Sequence, residues 1–217
     1  MLILLPVLVF LGIFFILFTK IVKDNSAGDA LRLTLVYAMG VCCLFTVLMT
    51  EGLGILGIIN RATIIATWSA GLVLVALIIW RKHIFPGAIT QSRAWWRSIK
   101  LGSSERILLA GIGFYLVVLF LIAIISPPNN NDSLQYHMAR IIHWIQNGNL
   151  GYFQVAYLPQ LFNPPAAEIL LMHNFLLVGG DQLVNLVQWT FMFASLVVVS
   201  LIAKGLGAGR AGQWQRP

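Results

Sequence analysis

Five apolar runs, each about as long as a bilayer is thick, constrain this chain more than any other feature. A helix needs about 20 apolar residues to cross roughly 30 Å of hydrocarbon. The five runs are Met1–Thr19, Leu33–Thr50, Ala62–Trp80, Ile107–Ile125 and Leu183–Ala203. Only 10% of the residues are charged, whereas soluble domains have about 25%. The sequence therefore predicts an all-α, polytopic transmembrane helix bundle of about five spans, and it excludes a soluble enzyme.

Charge and cysteine usage exclude further classes of protein. The formal net charge is +7, but the bases lie between the apolar runs and form no basic stripe, so no nucleic acid is expected as a partner. The two cysteines, Cys42 and Cys43, are neighbours inside an apolar run, which gives neither a disulfide framework nor a metal-ligand spacing. The first run lacks a basic segment before it and a small-residue cleavage site, so we interpret it as a retained helix rather than a signal peptide.

Lysines and arginines predict the orientation, because short cytoplasmic loops carry an excess of them. Segments 20–32 and 81–106 and the tail after Ala203 are basic, whereas segments 51–61 and 126–182 hold one arginine each. The basic segments are therefore predicted to be cytoplasmic, the N-terminus outside and the C-terminus inside. We expect an integral protein of the bacterial inner membrane, with the lipid bilayer as its main surroundings.

The long outer segment, residues 126–182, holds nearly all of the unusual polar chemistry. Asp132, followed three residues later by Gln135, predicts a capping box and a helix that ends near Asn147. A Pro-Pro pair then opens a second short helix over Ala166–Val178, which two glycines close. Neither helix is long enough to cross the membrane, so we expect two juxtamembrane helices on the outer face.

The candidate site residues lie on these two helices. A polar stripe at steps of three and four consists of Asp132, Tyr136, Arg140, His143 and Asn147. Asp132 is interpreted either as a helix cap or as a surface carboxylate that accepts a proton or binds a metal ion. Arg140 either extends to lipid head groups or holds a phosphate with its planar fork.

The remaining candidates also have two interpretations each. His137 and His143 are either interfacial side chains or catalytic ones. Glu168, close to the start of the second short helix, either complements the helix dipole or belongs to the site.

The order of these features resembles the GT-C-type membrane glycosyltransferases, which include the protein mannosyltransferases and the lipid A aminoarabinose transferases. Two strings carry the resemblance, SPPNNNDSLQYHMAR at 126–140 and NPPAAE at 163–168. It covers about Ile107 to the C-terminus. Residues 107–217 are accordingly expected to be the start of a GT-C-like core, and residues 1–106 an N-terminal three-span membrane region with a basic cytoplasmic loop.

The resemblance implies transfer of a sugar from a polyprenyl-phosphate carrier to an acceptor on the outer face. It implies that Asp132 is the general base toward the acceptor or part of a divalent-metal site. We expect the substrate to be bound by Arg140, Tyr136, His137 and Glu168. Ser133 stands where many members carry a second acid. Such enzymes contain many more spans, so we expect the N-terminal portion of a longer enzyme, inactive alone.

Two other functions stay open at this point. A non-enzymatic membrane module would bind a lipid-linked substrate or a partner membrane protein. A transporter fragment would need charge inside the membrane, and the centres of the apolar runs carry almost none.

Overall fold

The computed structural model describes residues 2–82 and 102–208, and this part of the chain is helical with short connections. Within these described ranges, five helices are long and apolar enough to cross a membrane. They are α1 (Leu4–Ile21), α2 (Ala27–Ile55), α3 (Arg61–Arg81), α4 (Ser103–Ile125) and α8 (Asn185–Gly205). Each overlaps one predicted run, so the prediction of an all-α bundle with five spans is confirmed. Most of the predicted basic loop, residues 83–101, lies outside the described residues.

Four shorter elements connect α4 to α8. They are a π-helical segment (Ser133–Met138), α5 (Ala139–Asn147), α6 (Pro159–Phe162) and α7 (Ala166–Val178). The predicted bounds of the second short helix are confirmed in α7. The predicted end of the first is also confirmed, because Gly148 leaves α5 in the left-handed region at φ 68°, where glycine has no Cβ penalty.

The first short helix begins differently from its prediction. Asn130 Oδ1 accepts a hydrogen bond from the Ser133 backbone N at 2.8 Å, so Asn130 caps the helix. Asp132 already has helical torsion angles and accepts no capping hydrogen bond. The predicted capping box of Asp132 and Gln135 is therefore wrong. Asparagine caps a helix about as well as aspartate, and here an asparagine comes first along the chain.

The long helices form two groups, α1 with α2 and α3, and α4 with α8, and α7 contacts both groups. Helix α1 packs against α2 and α3, α4 packs against α8, and α2 also contacts α8. Helix α7 contacts α2, α3, α5 and α8. The backbone N of Ile59, between α2 and α3, donates to the Gly148 carbonyl at 2.8 Å. Residues 51–60 and 126–184 therefore meet at one end of the bundle, which we call the loop end.

The opposite end, which we call the basic end, joins the start of α2 to the end of α8. Asp29 pairs with Arg32 at 2.7 Å and also with Lys204, while Arg32 reaches the Ser200 hydroxyl at 3.2 Å. Two of the segments predicted to share the cytoplasmic side thus lie at the same end of the bundle.

Buried His173 fixes α7 against α2 and α3. Trp68 Nε1 donates to His173 Nδ1 at 2.9 Å, and Thr50 Oγ1 lies 2.7 Å from Nε2. Thr50 donates its own proton to the Thr46 carbonyl, so it must accept from His173 Nε2–H. Both ring nitrogens are satisfied only in this neutral tautomer. Burial lowers the pKa of His173 to about 3, so the ring stays neutral near pH 7.

Candidate functional site

Arg140 lies on the buried face of α5, where its side chain is only 2% exposed. Its Nη1 donates to the Asn163 carbonyl at 2.8 Å, its Nε donates to the Gln160 carbonyl, and its Nη2 lies 3.5 Å from the Pro159 carbonyl. The predicted polar stripe therefore does not face solvent at Arg140, and the interpretation that this side chain extends to lipid head groups is wrong. Arg140 is buried because the carbonyl groups of α6 and Asn163 give the guanidinium the partners it needs away from water.

Glu168 lies opposite Arg140 at the start of α7 and is fully buried. Its Oε1 is 3.3 Å from Arg140 Nη1 and 3.1 Å from His137 Nδ1, while Oε2 has no hydrogen-bond partner. A buried carboxylate requires a charged or hydrogen-bonding partner. Glu168 is therefore the point at which α5, α7 and the π-helical segment are joined electrostatically.

His137 stands between Glu168 and Asp132. Its Nδ1 faces Glu168, and its Nε2 lies 3.7 Å from Asp132 Oδ2. The Asp132 side chain is 74% exposed, the His137 side chain 21% and the Glu168 side chain 1%. The three groups thus form a series that runs from solvent into the protein interior.

The π-helical segment explains why Asp132 and His137 face each other. Five residues along an α-helix at 3.6 residues per turn are about 140° apart around the axis. The wider π turn has i→i+5 hydrogen bonds, which bring the fifth residue closer above the first. Residues 133–138 form such a turn. π-Helical turns are rare in proteins, and many of those that do occur lie at functional sites.

Tyr136 belongs to the same group, whereas His143 does not. The Tyr136 and His137 rings are 3.8 Å apart, centroid to centroid. Burial, and then the Glu168 and Asp132 carboxylates, raise the pKa of Tyr136, so the phenol keeps its proton. His143 instead stacks on Phe153 at 4.1 Å. The structure thus brings together all five predicted site residues: Asp132, Tyr136, His137, Arg140 and Glu168.

A cavity of about 580 Å³ adjoins this group between α2, α7 and α8. Such a volume is within the usual range for ligand sites. Its polar lining includes Asn130, Asp132, Ser133, His137, Asn185 and Gln188. Its apolar lining includes Val47, Met138, Leu170, Leu171, Val187 and Phe191. The described lining contains no lysine or arginine, so Asp132 makes its charge negative.

Within the described residues, no group of three histidine, cysteine, aspartate or glutamate side chains is arranged to hold a metal ion. The reason is geometric, because His137 separates the two carboxylates and faces one with each ring nitrogen. The donor atoms therefore do not converge on one point.

Sequence reasoning missed the groups that surround the predicted residues. The carbonyl oxygens of Pro159, Gln160 and Asn163 hold Arg140. Every residue has a backbone carbonyl group, so the sequence does not reveal which of them bind a side chain. The cap did have a sequence signal, which is Asn130 itself, an asparagine three residues before Ser133. Comparison of the chain with family models, with curated proteins and with solved structures gave no match.

Proposed function

We propose that this chain is part of a membrane glycosyltransferase that moves a sugar from a polyprenyl-phosphate carrier to an acceptor hydroxyl. One observation carries the proposal: the exposed Asp132 carboxylate lines a mostly apolar cavity beside helices that are long and apolar enough to cross a membrane. A cavity of this composition suits an amphiphile, whose polar head meets the carboxylate while its tail meets α7 and α8. The resemblance of residues 126–140 and 163–168 to GT-C enzymes supports the same function.

The charge of the cavity indicates which substrate it takes. A phosphate would meet the Asp132 carboxylate with no lysine or arginine in the described lining, and like charges repel. A hydroxyl group would instead donate a hydrogen bond to Asp132. We therefore assign the cavity to the acceptor and the carrier phosphate to a neighbouring surface.

The chemistry then follows from Asp132. Its carboxylate removes the proton from the acceptor hydroxyl, and the acceptor oxygen bonds to the sugar carbon while the bond from that carbon to the phosphate oxygen breaks. The phosphate leaves as the anion on its polyprenyl carrier. His137, which lines the cavity, lies beside the acceptor in this arrangement. Arg140 and Glu168 are buried against each other, so their contribution is to hold the site in place rather than to touch the substrate.

The test uses Cys43, which lines the cavity, as a reporter of occupancy. Cys42→Ser leaves Cys43 as the single cysteine, and its alkylation by a maleimide is followed by mass spectrometry in lipid nanodiscs. Geranylgeraniol should slow the alkylation, and geranylgeranyl phosphate, which has the same tail, should slow it less. Asp132→Asn should make the alcohol and the phosphate more nearly equal in how strongly they slow the alkylation of Cys43. In the matched control, Cys43→Ser, neither compound should protect Cys42.

Transfer of radioactive sugar from a polyprenyl-phosphate donor, measured in membranes that carry the complete protein of which this chain is proposed to be part, distinguishes the enzyme from the non-enzymatic module. Transfer together with Cys43 protection supports the enzyme. Protection without transfer favours the alternative of a non-enzymatic module that binds a lipid-linked substrate or a partner membrane protein. If neither alcohol nor phosphate protects Cys43, the cavity is not the acceptor site.

We further propose that the loop end faces the outside of a bacterial inner membrane and the basic end the cytoplasm, because basic residues concentrate on the cytoplasmic side. The test places single cysteines at Asn130 or Ser92 in a Cys42→Ser/Cys43→Ser background. A membrane-impermeant maleimide should label Asn130→Cys in intact cells and Ser92→Cys only after lysis. Labelling of Ser92→Cys alone in intact cells would mean the inverse orientation.

A further inference from the structure

We infer that His137 takes up the proton that Asp132 removes from the acceptor, and that Glu168 orients it for this step. The inference rests on the proposed function and extends it to a second proton-accepting residue. It is carried by the juxtaposition of Asp132, His137 and Glu168, three ionisable groups that succeed one another from the cavity into the protein interior.

The hydrogen bonds of His137 determine which of its two ring nitrogens carries no proton. Arg140 Nη1 donates to Glu168 Oε1 at 3.3 Å, so that oxygen is an acceptor. His137 Nδ1 lies 3.1 Å from the same oxygen and must donate to it. Neutral imidazole has one N–H, so His137 Nε2 carries the lone pair. This lone pair faces Asp132.

The distance between Asp132 and His137 is that of a hydrogen bond that forms only when substrate is bound. The separation of 3.7 Å exceeds an ordinary hydrogen bond. Asp132 is largely exposed, so a side-chain rotation brings the atoms together, and catalytic hydrogen bonds are often long before substrate binds. The π-helical turn brings the two residues to this distance.

The proton balance of the step is simple. The acceptor O–H bond breaks as the acceptor oxygen attacks the sugar carbon, and the proton passes to an Asp132 oxygen. It then moves from that oxygen to His137 Nε2, which forms an imidazolium and restores the Asp132 carboxylate. Glu168 stabilises the imidazolium through Nδ1–H, because an opposite charge at this distance favours the charged form. The carrier phosphate leaves as an anion, so total charge is conserved.

No other described charge faces His137. Asp132 and Tyr136 face His137 from its own segment, and Glu168 faces it from α7. Arg140, on α5, acts on His137 only through its ion pair with Glu168. Across the cavity α2 presents the titratable Cys43, while α8 presents the uncharged Asn185 and Gln188.

The first experiment is independent of catalysis. Histidine labelled with ¹⁵N reports the tautomer of each ring in nanodiscs, and the four histidines are assigned by single substitution to glutamine. Neutral His137 should carry its proton on Nδ1. In Arg140→Met/Glu168→Leu, which removes both buried charges together, that preference should disappear. His143, which stacks on Phe153, should be the same in both proteins. A wild-type His137 protonated on Nε2 would overturn the inference.

The second experiment measures transfer kinetics. His137→Gln should lower kcat by about 10²-fold, the lower end of the usual contribution of a proton-transferring side chain, with little change in KM. It should also alter the fall of the rate at acid pH, because protonated His137 accepts no further proton. His143→Gln should leave kcat and the pH profile unchanged. An unchanged kcat and pH profile in His137→Gln would overturn the inference. Absence of transfer by the complete wild-type enzyme of which this chain is proposed to be part, with the expected His137 tautomer, would instead overturn the proposed function.

Discussion

Asp132→Asn is expected to lower the rate of sugar transfer by about 10²- to 10⁴-fold, the usual contribution of a general base. Asparagine has nearly the same shape as aspartate but accepts no proton from a hydroxyl. Asn130, and not Asp132, caps the helix, so the substitution leaves the cap intact. The measurement is the initial rate of transfer from a polyprenyl-phosphate donor labelled in its sugar, in membranes with matched amounts of the complete enzyme of which this chain is proposed to be part.

Asp181→Asn is the matched control for this prediction. Asp181 lies at the same end of the bundle, between α7 and α8, but does not line the cavity. Its substitution should leave the rate within about twofold of wild type, because surface changes away from a site have small effects. Full activity of Asp132→Asn would show that this carboxylate is not the base. An equal loss in both variants would show that the effect comes from local charge at the loop end.

The spans and α7 were predictable because their signals are local. A run of about 20 apolar residues has few alternatives to a membrane helix. The Pro-Pro pair before Ala166 and the glycine pair after Val178 mark the ends of α7 within a few residues. Patterns of this kind depend only on neighbouring residues in the chain, so tertiary contacts elsewhere do not change what they predict.

The surroundings of Arg140 were not predictable, because they depend on residues far along the chain. An arginine on an amphipathic helix is expected on the polar side, and only the carbonyl groups of residues 159–163 and the carboxylate of Glu168 make its burial favourable. The π-helical turn was missed for a related reason. Periodicity analysis assumes 3.6 residues per turn, so a wider turn displaces every residue after it around the axis.

The pairing of Arg140 with Glu168 leads to a prediction about stability. Arg140→Met should lower the free energy of unfolding by about 3–5 kcal/mol, because it leaves the buried Glu168 carboxylate without its cationic partner. The carbonyl groups of α6 and Asn163 also lose the guanidinium donors that hold them. Unfolding in mixed micelles of increasing SDS fraction, followed by far-UV circular dichroism, measures the change. Arg61→Met is the control, since Arg61 is exposed at the start of α3 and its loss should change stability by about 0.5 kcal/mol or less.

The double variant Arg140→Met/Glu168→Leu separates a charge effect from a packing effect. Replacing both members of a buried ion pair by apolar residues of similar size is often neutral or stabilising, so the double variant should recover most of the loss seen in Arg140→Met. It should nevertheless lose transfer activity, because His137 then lacks the carboxylate that orients it. If Arg140→Met is as stable as Arg61→Met, the guanidinium is not needed by Glu168. The interpretation of Arg140 as the phosphate-binding residue would then be favoured over its role in holding the site.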